Sequence, residues 1–261
     1  MERGEWRILR GDMPLITTSL HDGHDIKLGA LPFLVVDEAT RLREEDPYTG
    51  ELAEVSDTRV IVRQSRFKFD VNRPRDKAVY RSAEDAWGIN VWNENVPETI
   101  FTEGLAFYDA FNQEVFALLD EWVERFGTVV VYDLHTYNHR RNGPDGEPAD
   151  PDGNPEVNIG TGTLNRQRFG RIVERFMQEL SDADYLGRHL DVQENVKFNG
   201  GDFSRRIHER YYDSVCVLAI EFKKIFMDEW TGEIDPEGLH ALKRALASTI
   251  PGVLEECINL S

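Results

Sequence analysis

The chain has 261 residues, 40% of them hydrophobic and 30% charged, close to ordinary globular composition and long enough for one large core, so a single catalytic domain over 1–261 is expected. A formal net charge of -18 and a pI near 4.8 argue against a nucleic-acid partner, which would need clustered Lys and Arg. No apolar stretch approaches the length of a membrane span, and Met1 to Met13 is charged with no apolar signal-like region, so a cytoplasmic protein with no membrane partner is expected.

From the N-terminus, Leu15-Ile16-Thr17-Thr18-Ser19-Leu20 reads as a buried strand over 14–20. It runs into His21-Asp22-Gly23-His24, two imidazoles three residues apart in the turn beyond. Further strands are expected at 33–36, 59–63 and 67–71. The last leads into Asp70-Val71-Asn72-Arg73-Pro74-Arg75, where Pro74 pushes Arg73 towards an extended conformation and away from a helix. Arg73 offers a fork that grips a carboxylate bidentately, and Asn72 can add a hydrogen bond; the rival reading is that Arg73 or Arg75 neutralises local acidic surface.

Tyr108, Phe111, Val115, Leu118, Leu119, Trp122 and Phe126 repeat at helical spacing from about Glu103, and Gly127 supplies a stop. A second buried strand follows over 128–134, where Val129-Val130-Val131-Tyr132 runs into Asp133 and His135, two residues that share one face of a strand. Asn142 to Pro155 is too rich in Gly, Pro and Asp for a regular element; it is either a rim over the site or a solvated excursion. A helix is expected from about Asn165 to Leu180. Asn199-Gly200-Gly201-Asp202 then forms a glycine turn opening another helix, where backbone N–H groups can approach a ligand closely.

The third buried run, 215–221, ends in Glu221, a carboxylate that burial penalises unless it faces a polar cavity, a metal or a cation such as Lys223 or Lys224. A final helix opens at Asp235-Pro236, with Pro251 a kink. Cys216 and Cys257, with no CxxC spacing, read as packed thiols.

This order of elements predicts an α/β protein, three-layer α/β/α around a central mixed, mostly parallel sheet. Ligands of such sheets sit beyond the carboxyl ends of the strands, so the three chemically active strand tips are expected to converge. His21, His24 and His135 are then candidate ligands of one Zn²⁺, which in catalytic sites takes three protein ligands and leaves a position open. Glu221 is the candidate general base, and Arg206, or Arg205, the candidate stabiliser of an oxyanion.

Taken in order, several blocks resemble the N-formylglutamate amidohydrolase family, related to zinc carboxypeptidases and aspartoacylases. They are Ser19-Leu20-His21-Asp22-Gly23, Asp70-Val71-Asn72-Arg73-Pro74, Asp133-Leu134-His135-Thr136, Gly200-Gly201 with Arg205-Arg206, and Leu218-Ala219-Ile220-Glu221-Phe222 with Met227-Asp228-Glu229. The resemblance implies a phosphorylase/hydrolase-like fold, a single Zn²⁺ and hydrolysis of an amide or formamide on a small-molecule N-formyl or N-acyl amino acid, as with N-formylglutamate. It further implies that His21 and His135 are ligands, Glu221 the catalytic carboxylate, and Asn72-Arg73 the pair holding the substrate carboxylate; Gly200 and Gly201, in the glycine turn that can approach a ligand, are further candidate substrate-binding residues. The sequence departs from the family pattern at Leu20, where Pro is common, and at His24, where carboxypeptidase relatives carry Glu. A carboxypeptidase-like peptidase and a non-catalytic carboxylate-binding relative stay open as alternatives.

Overall fold

A computed structural model describes residues 4–260. Seven strands, β1 (Trp6–Leu9), β2 (Leu15–Ser19), β3 (Thr58–Val62), β4 (Val129–Tyr137), β5 (Val157–Gly160), β6 (Val192–Glu194) and β7 (Val215–Lys223), form one sheet in the order β1-β3-β2-β4-β7-β5-β6. The central β3-β2-β4-β7 block is parallel; β1 on β3 and β5 on β7 are antiparallel. The helices are α1 (Glu38–Glu44), α2 (Thr49–Leu52), α3 (Glu98–Phe126), α4 (Arg166–Asp182), α5 (Asp202–Arg210), α6 (Pro236–Ser248) and α7 (Ile250–Ile258). The three-layer, mixed and mostly parallel α/β architecture is the expected one.

Strand alternation sorts the core into two layers. Val130, Tyr132 and Leu134 of β4, with Cys216, Leu218 and Ile220 of β7, pack against Phe169 and Phe176 of α4, Leu242 of α6 and Val253 of α7. Val129, Val131, Val215 and Val217 instead meet Phe111 and Leu118 of α3 and Phe203 and Ile207 of α5. Each large side chain buried this way contributes about 1.5–3 kcal/mol relative to exposure. Continued along β4, the α3/α5 face carries Asp133 and then His135, and along β7 it carries Glu221. The chemistry therefore lies where that apolar face runs out.

After β2 the chain moves to β3 on one side, and it later returns to β4 on the other, so the connections diverge between β2 and β4. That is the crevice where open α/β sheets bind ligands.

Several expected elements differ. Segment 33–36 holds the end of a 3-10 turn, Leu31–Phe33, and an isolated bridge from Leu34 to Trp92 instead of a strand. Segment 67–71 is irregular: Phe67 packs with Tyr80 and Val91, while Phe69 and Val71 enter the α3 layer, so its apolar residues are buried without a strand partner. Helix α3 begins at Glu98, earlier than its apolar stripe, after Pro97 at the cap. Pro251 is no kink within one helix; it lies in the first turn of α7, after α6 has ended.

Candidate metal centre and active site

His21 leaves the tip of β2 and is buried, as is His135 near the end of β4. Between them stands Asp46, in the connection from α1 to α2. Its Oδ2 lies 3.1 Å from Nδ1 of His21 and 3.1 Å from Nδ1 of His135. The three side chains offer ligand atoms that all lie within 4.8 Å of one another, a group able to hold a metal ion. The two separations from Asp46 approach the roughly 3.4 Å expected between neighbouring donors around a tetrahedral ion at ordinary Zn–N and Zn–O bond lengths.

The opposite ring nitrogens are also engaged. Nε2 of His21 is 2.8 Å from Oδ1 of Asp70, and Nε2 of His135 is 3.1 Å from Oδ2 of Asp133. Metal-binding histidines commonly hand their second nitrogen to a carboxylate, which fixes the ring and its tautomer; His21 does so through a hydrogen bond to Asp70, whereas the His135–Asp133 approach is a close ion-pair contact that leaves Asp133 Oδ2 without a hydrogen bond among the described residues. Both carboxylates are themselves held: Asp133 accepts from Thr18 Oγ1 at 2.6 Å, and Asp70 accepts from Tyr80 Oη at 2.5 Å and twice from Arg66, at 3.2 and 2.8 Å. Burial alone would raise the Asp70 pKa; Arg66, His21 and Tyr80 outweigh it and hold the carboxyl well below its ordinary value. For Asp46, burial is likewise overcome by hydrogen bonds from His135 and His21, so its pKa falls.

Three contacts position Asp46. Its backbone N–H donates to His21 O at 2.9 Å, Thr136 Oγ1 donates to its Oδ1 at 3.1 Å, and the buried Lys224 Nζ donates to the carbonyls of Arg43 and Glu45 at 2.6 and 2.9 Å. The sequence reading missed Asp46 because nothing in its spacing from His21 marks it. The faint available signal is that it closes an acidic run, Glu44-Glu45-Asp46, just before Pro47 biases it towards an extended backbone.

His24 is not part of this group. Its Nδ1 lies 2.5 Å from Oε2 of the buried Glu45 and its Nε2 lies 3.0 Å from Arg41, in a polar network that also includes Ser65. The expected third histidine thus gives way to a carboxylate: the turn carries His24 past the β2 tip to α1, where Arg41 and Glu45 hold it, and Gly23 lets that turn press on the Arg63 backbone, where a Cβ would overlap.

Glu221 stands in register with His135 across the β4–β7 ladder and faces the same cavity, whose volume is about 810 Å³. Among the described residues its carboxylate makes no hydrogen bond or ion pair. Lys224 bonds carbonyls elsewhere, so the alternative of a simple surface ion pair with it is not what forms. Burial raises the Glu221 pKa to about 7, with Asp46 and Asp133 adding to the rise and His135 opposing it.

Asn72, Arg73, Gly200 and Gly201 all line this cavity, with Arg66, Lys224, Arg141 and Lys197. Asn72 Nδ2 lies 3.5 Å from His135 Nε2, and its Oδ1 accepts from Phe203 N at 3.0 Å at the start of α5. Gly201 permits this approach, since a Cβ there would overlap the Asn72 carboxamide. Arg75 lies outside, bonded twice to Asp109 on α3 at 2.7 Å. Arg206 also lies outside the cavity: it donates to Asp202 Oδ2 at 2.6 Å, to Val71 O at 2.9 Å and to Asn112. It ties α5 to its neighbours and is absent from the cavity lining, where an oxyanion stabiliser was expected; Arg205 reaches the cavity wall but pairs with Asp202 and Glu209. The Gly- and Asp-rich stretch 142–155 contributes nothing to the lining, although Asn138 and Arg141 just before it do.

Seven Lys and Arg side chains line the cavity against five carboxylates, in a chain with a net charge of -18. The site is therefore locally cationic and suited to an anionic ligand.

The sequence matches the profile of the family described as N-formylglutamate amidohydrolase over residues 13–227. The chain belongs to the N-formylglutamate amidohydrolase family. Membership makes it a hydrolase acting on carbon–nitrogen bonds. Among solved structures, its fold is similar to that of an N-formylglutamate amidohydrolase from Ralstonia eutropha, at 16% identity and a TM-score of 0.71, covering 99% of this chain and 98% of that one. It is also similar to a gene product from Agrobacterium tumefaciens, at 19% identity and a TM-score of 0.63, covering 98% and 95%. No curated protein matches by sequence. Family membership accords with the resemblance carried by the strand-tip motifs. Among the described residues, no helix is long and apolar enough to cross a membrane.

Proposed function

We propose that the protein is a zinc-dependent amidohydrolase that cleaves the amide of an N-formyl or N-acyl amino acid bearing a free carboxylate, the whole chain serving as one cytoplasmic catalytic domain. One observation carries the reading: His21, Asp46 and His135 converge on one spot, each histidine backed by a buried carboxylate, with the unpaired Glu221 facing them across a cationic cavity. Two imidazole nitrogens and a carboxylate oxygen suit Zn²⁺ in a catalytic site. When bound, that ion would polarise the scissile carbonyl and acidify water.

The remaining work falls to side chains. Glu221 takes a proton from the attacking water as the water oxygen bonds to the carbonyl carbon. It then delivers that proton to the amine nitrogen as the carbon–nitrogen bond breaks, releasing the carboxylic acid and the free amino acid. A pKa raised to about 7 suits both halves of this exchange near neutral pH. Arg73, with Asn72 beside it, binds the carboxylate of the amino acid, and the Gly200-Gly201 backbone forms the adjoining wall. Asp46 supplies a carboxylate to the group in place of the Glu that carboxypeptidase relatives carry where this chain has His24.

The test is metal content and turnover of untagged protein. About one Zn²⁺ per chain, retained in His24→Ala but lost in His21→Ala, Asp46→Ala and His135→Ala, is the expected result, with hydrolysis of an N-formyl or N-acyl amino acid that stops on chelation and returns with Zn²⁺. A wild-type protein that neither carries nor takes up Zn²⁺, or that hydrolyses these substrates equally well when stripped of it, ends the proposal.

A further inference from the structure

Trp87 follows a 3-10 turn, Ala83–Ala86, that is closed by a capping box between Ser82 and Asp85. Its backbone is left-handed, with φ 54° and ψ 30°, a conformation that bulky side chains rarely adopt. Glycine would suit that backbone, and Gly88, also at positive φ, follows it. Position 87 instead carries the largest side chain available, 48% exposed and lining the cavity. Strain of this kind persists where the surroundings enforce it, and it concentrates at functional sites.

The indole's surroundings indicate what it does. One side meets Tyr80 edge-on, with ring centroids 5.8 Å apart and planes at 70°. The guanidinium of Arg66 sits 4.7 Å from the ring centroid and that of Arg73 sits 5.2 Å away. Arg66 has other anchors, in two hydrogen bonds to Asp70 and one to Glu44 O. Arg73 is held more loosely: its one other anchor among the described residues is a long ion pair to Asp70 Oδ2 at 3.8 Å, and its side chain makes no hydrogen bond. A guanidinium over an aromatic face is attracted by the ring while its in-plane N–H donors stay available for a carboxylate.

We propose that Trp87 is a positioning residue for substrate binding: its indole holds the Arg73 fork in the direction that receives the carboxylate of the amino-acid substrate. This rests on the carboxylate-binding role proposed above for Arg73.

Trp87→Gly and Trp87→Phe, alone and combined with Arg73→Ala, test it. KM for an N-formyl amino acid and calorimetric binding of glutamate, which requires no turnover, are measured beside Tm. Trp87→Gly relieves the left-handed backbone, so Tm should hold, while KM and the glutamate Kd rise on the order of tenfold and kcat changes far less, the loss expected for one stacking contact. Trp87→Phe should restore most of that affinity, and in the Arg73→Ala background Trp87→Gly should add nothing. A merely structural role would lower Tm or the active fraction and leave KM unmoved. A Trp87→Gly protein that binds glutamate as tightly as wild type, a wild type that binds no glutamate, or a full additive loss without Arg73 overturns the proposal. Glutamate binding that depends on Trp87, without hydrolysis of any N-acyl amino acid by wild type, would sink the amidohydrolase reading and leave this one standing.

Discussion

Nε2 of His21 and Oδ1 of Asp70 are 2.8 Å apart, with both side chains buried. The bond turns Nδ1 of His21 towards Asp46 and His135 and fixes the tautomer that presents a lone pair there. Asp70→Asn keeps the shape and removes the charge. Zn²⁺ affinity, measured by competition with a chromophoric chelator, should fall about 10–100-fold. Arg66 loses its carboxylate in the same variant, so Tm in the presence of chelator reports the cost to the fold separately. Unchanged affinity in a folded Asp70→Asn protein would deny Asp70 any part in holding the metal.

Glu221 is the one carboxylate at the strand tips that no cation or hydrogen bond occupies among the described residues, and it faces His135 across the ladder. Glu221→Gln preserves its size and removes its basicity. Metal content should stay near the wild-type level while kcat drops by roughly 10²–10⁴-fold, the usual contribution of general base catalysis. Near wild-type kcat in the variant would pass the proton-transfer role to another group.

Four expected strands formed, at β2, β3, β4 and β7; the β4 and β7 runs were readable because burial on both faces writes a nearly continuous apolar stretch, and with β2 they end where a polar residue reaches the cavity, at His21, His135 and Glu221. The same signal misled at 67–71, where Phe67, Phe69 and Val71 are buried by tertiary packing with no ladder. It was silent at β1, whose Trp6 and Ile8 alternate with exposed-side Arg7 inside a charged N-terminal stretch, and at the short β5 and β6. Asp46 was illegible for a different reason. It reaches the site through a backbone bond to His21, a bond from Thr136 and the Lys224 clamp, all made by residues distant in sequence. Arg73 and Arg206 look alike in sequence, yet only their surroundings separate a cavity-facing fork from a fold-holding clamp.

His208 sets an acid limit on stability. On α5 it is buried, its Nε2 accepts the Val217 N–H at 3.1 Å and its Nδ1 lies 2.8 Å from Thr163 Oγ1, so the fold requires the neutral ring. Burial lowers its pKa from the ordinary 6.5 to about 4. Between those values the unfolded chain binds more protons than the folded one, so stability falls as pH drops from about 6.5 towards 4 and is unaffected by this ring above about 6.5. Fully developed, the loss amounts to about 3 kcal/mol. His208→Gln should start less stable at pH 7, having lost ring packing, but its Tm should decline less steeply over this interval. Parallel Tm curves for the two proteins would show that His208 does not contribute to the acid limb.

Arg206 separates holding the fold from performing the reaction. Its guanidinium spans Asp202 on α5, Asn112 on α3 and the Val71 carbonyl, and its side chain is only 18% exposed. Arg206→Ala removes charge-assisted bonds and leaves the Asn112 amide oxygen and the Val71 carbonyl short of a donor, while Arg205 still covers Asp202. We expect a loss of about 2 kcal/mol, or about 5 °C in Tm for a chain of this size. Because the side chain lies outside the cavity, kcat per folded molecule should be retained. A stabiliser of the oxyanion would behave in the opposite way, with Tm little changed and kcat down by about 10²-fold or more. Measuring Tm and kcat on the same Arg206→Ala preparation decides between the two, and a large fall in kcat at unchanged Tm would return Arg206 to the catalytic machinery.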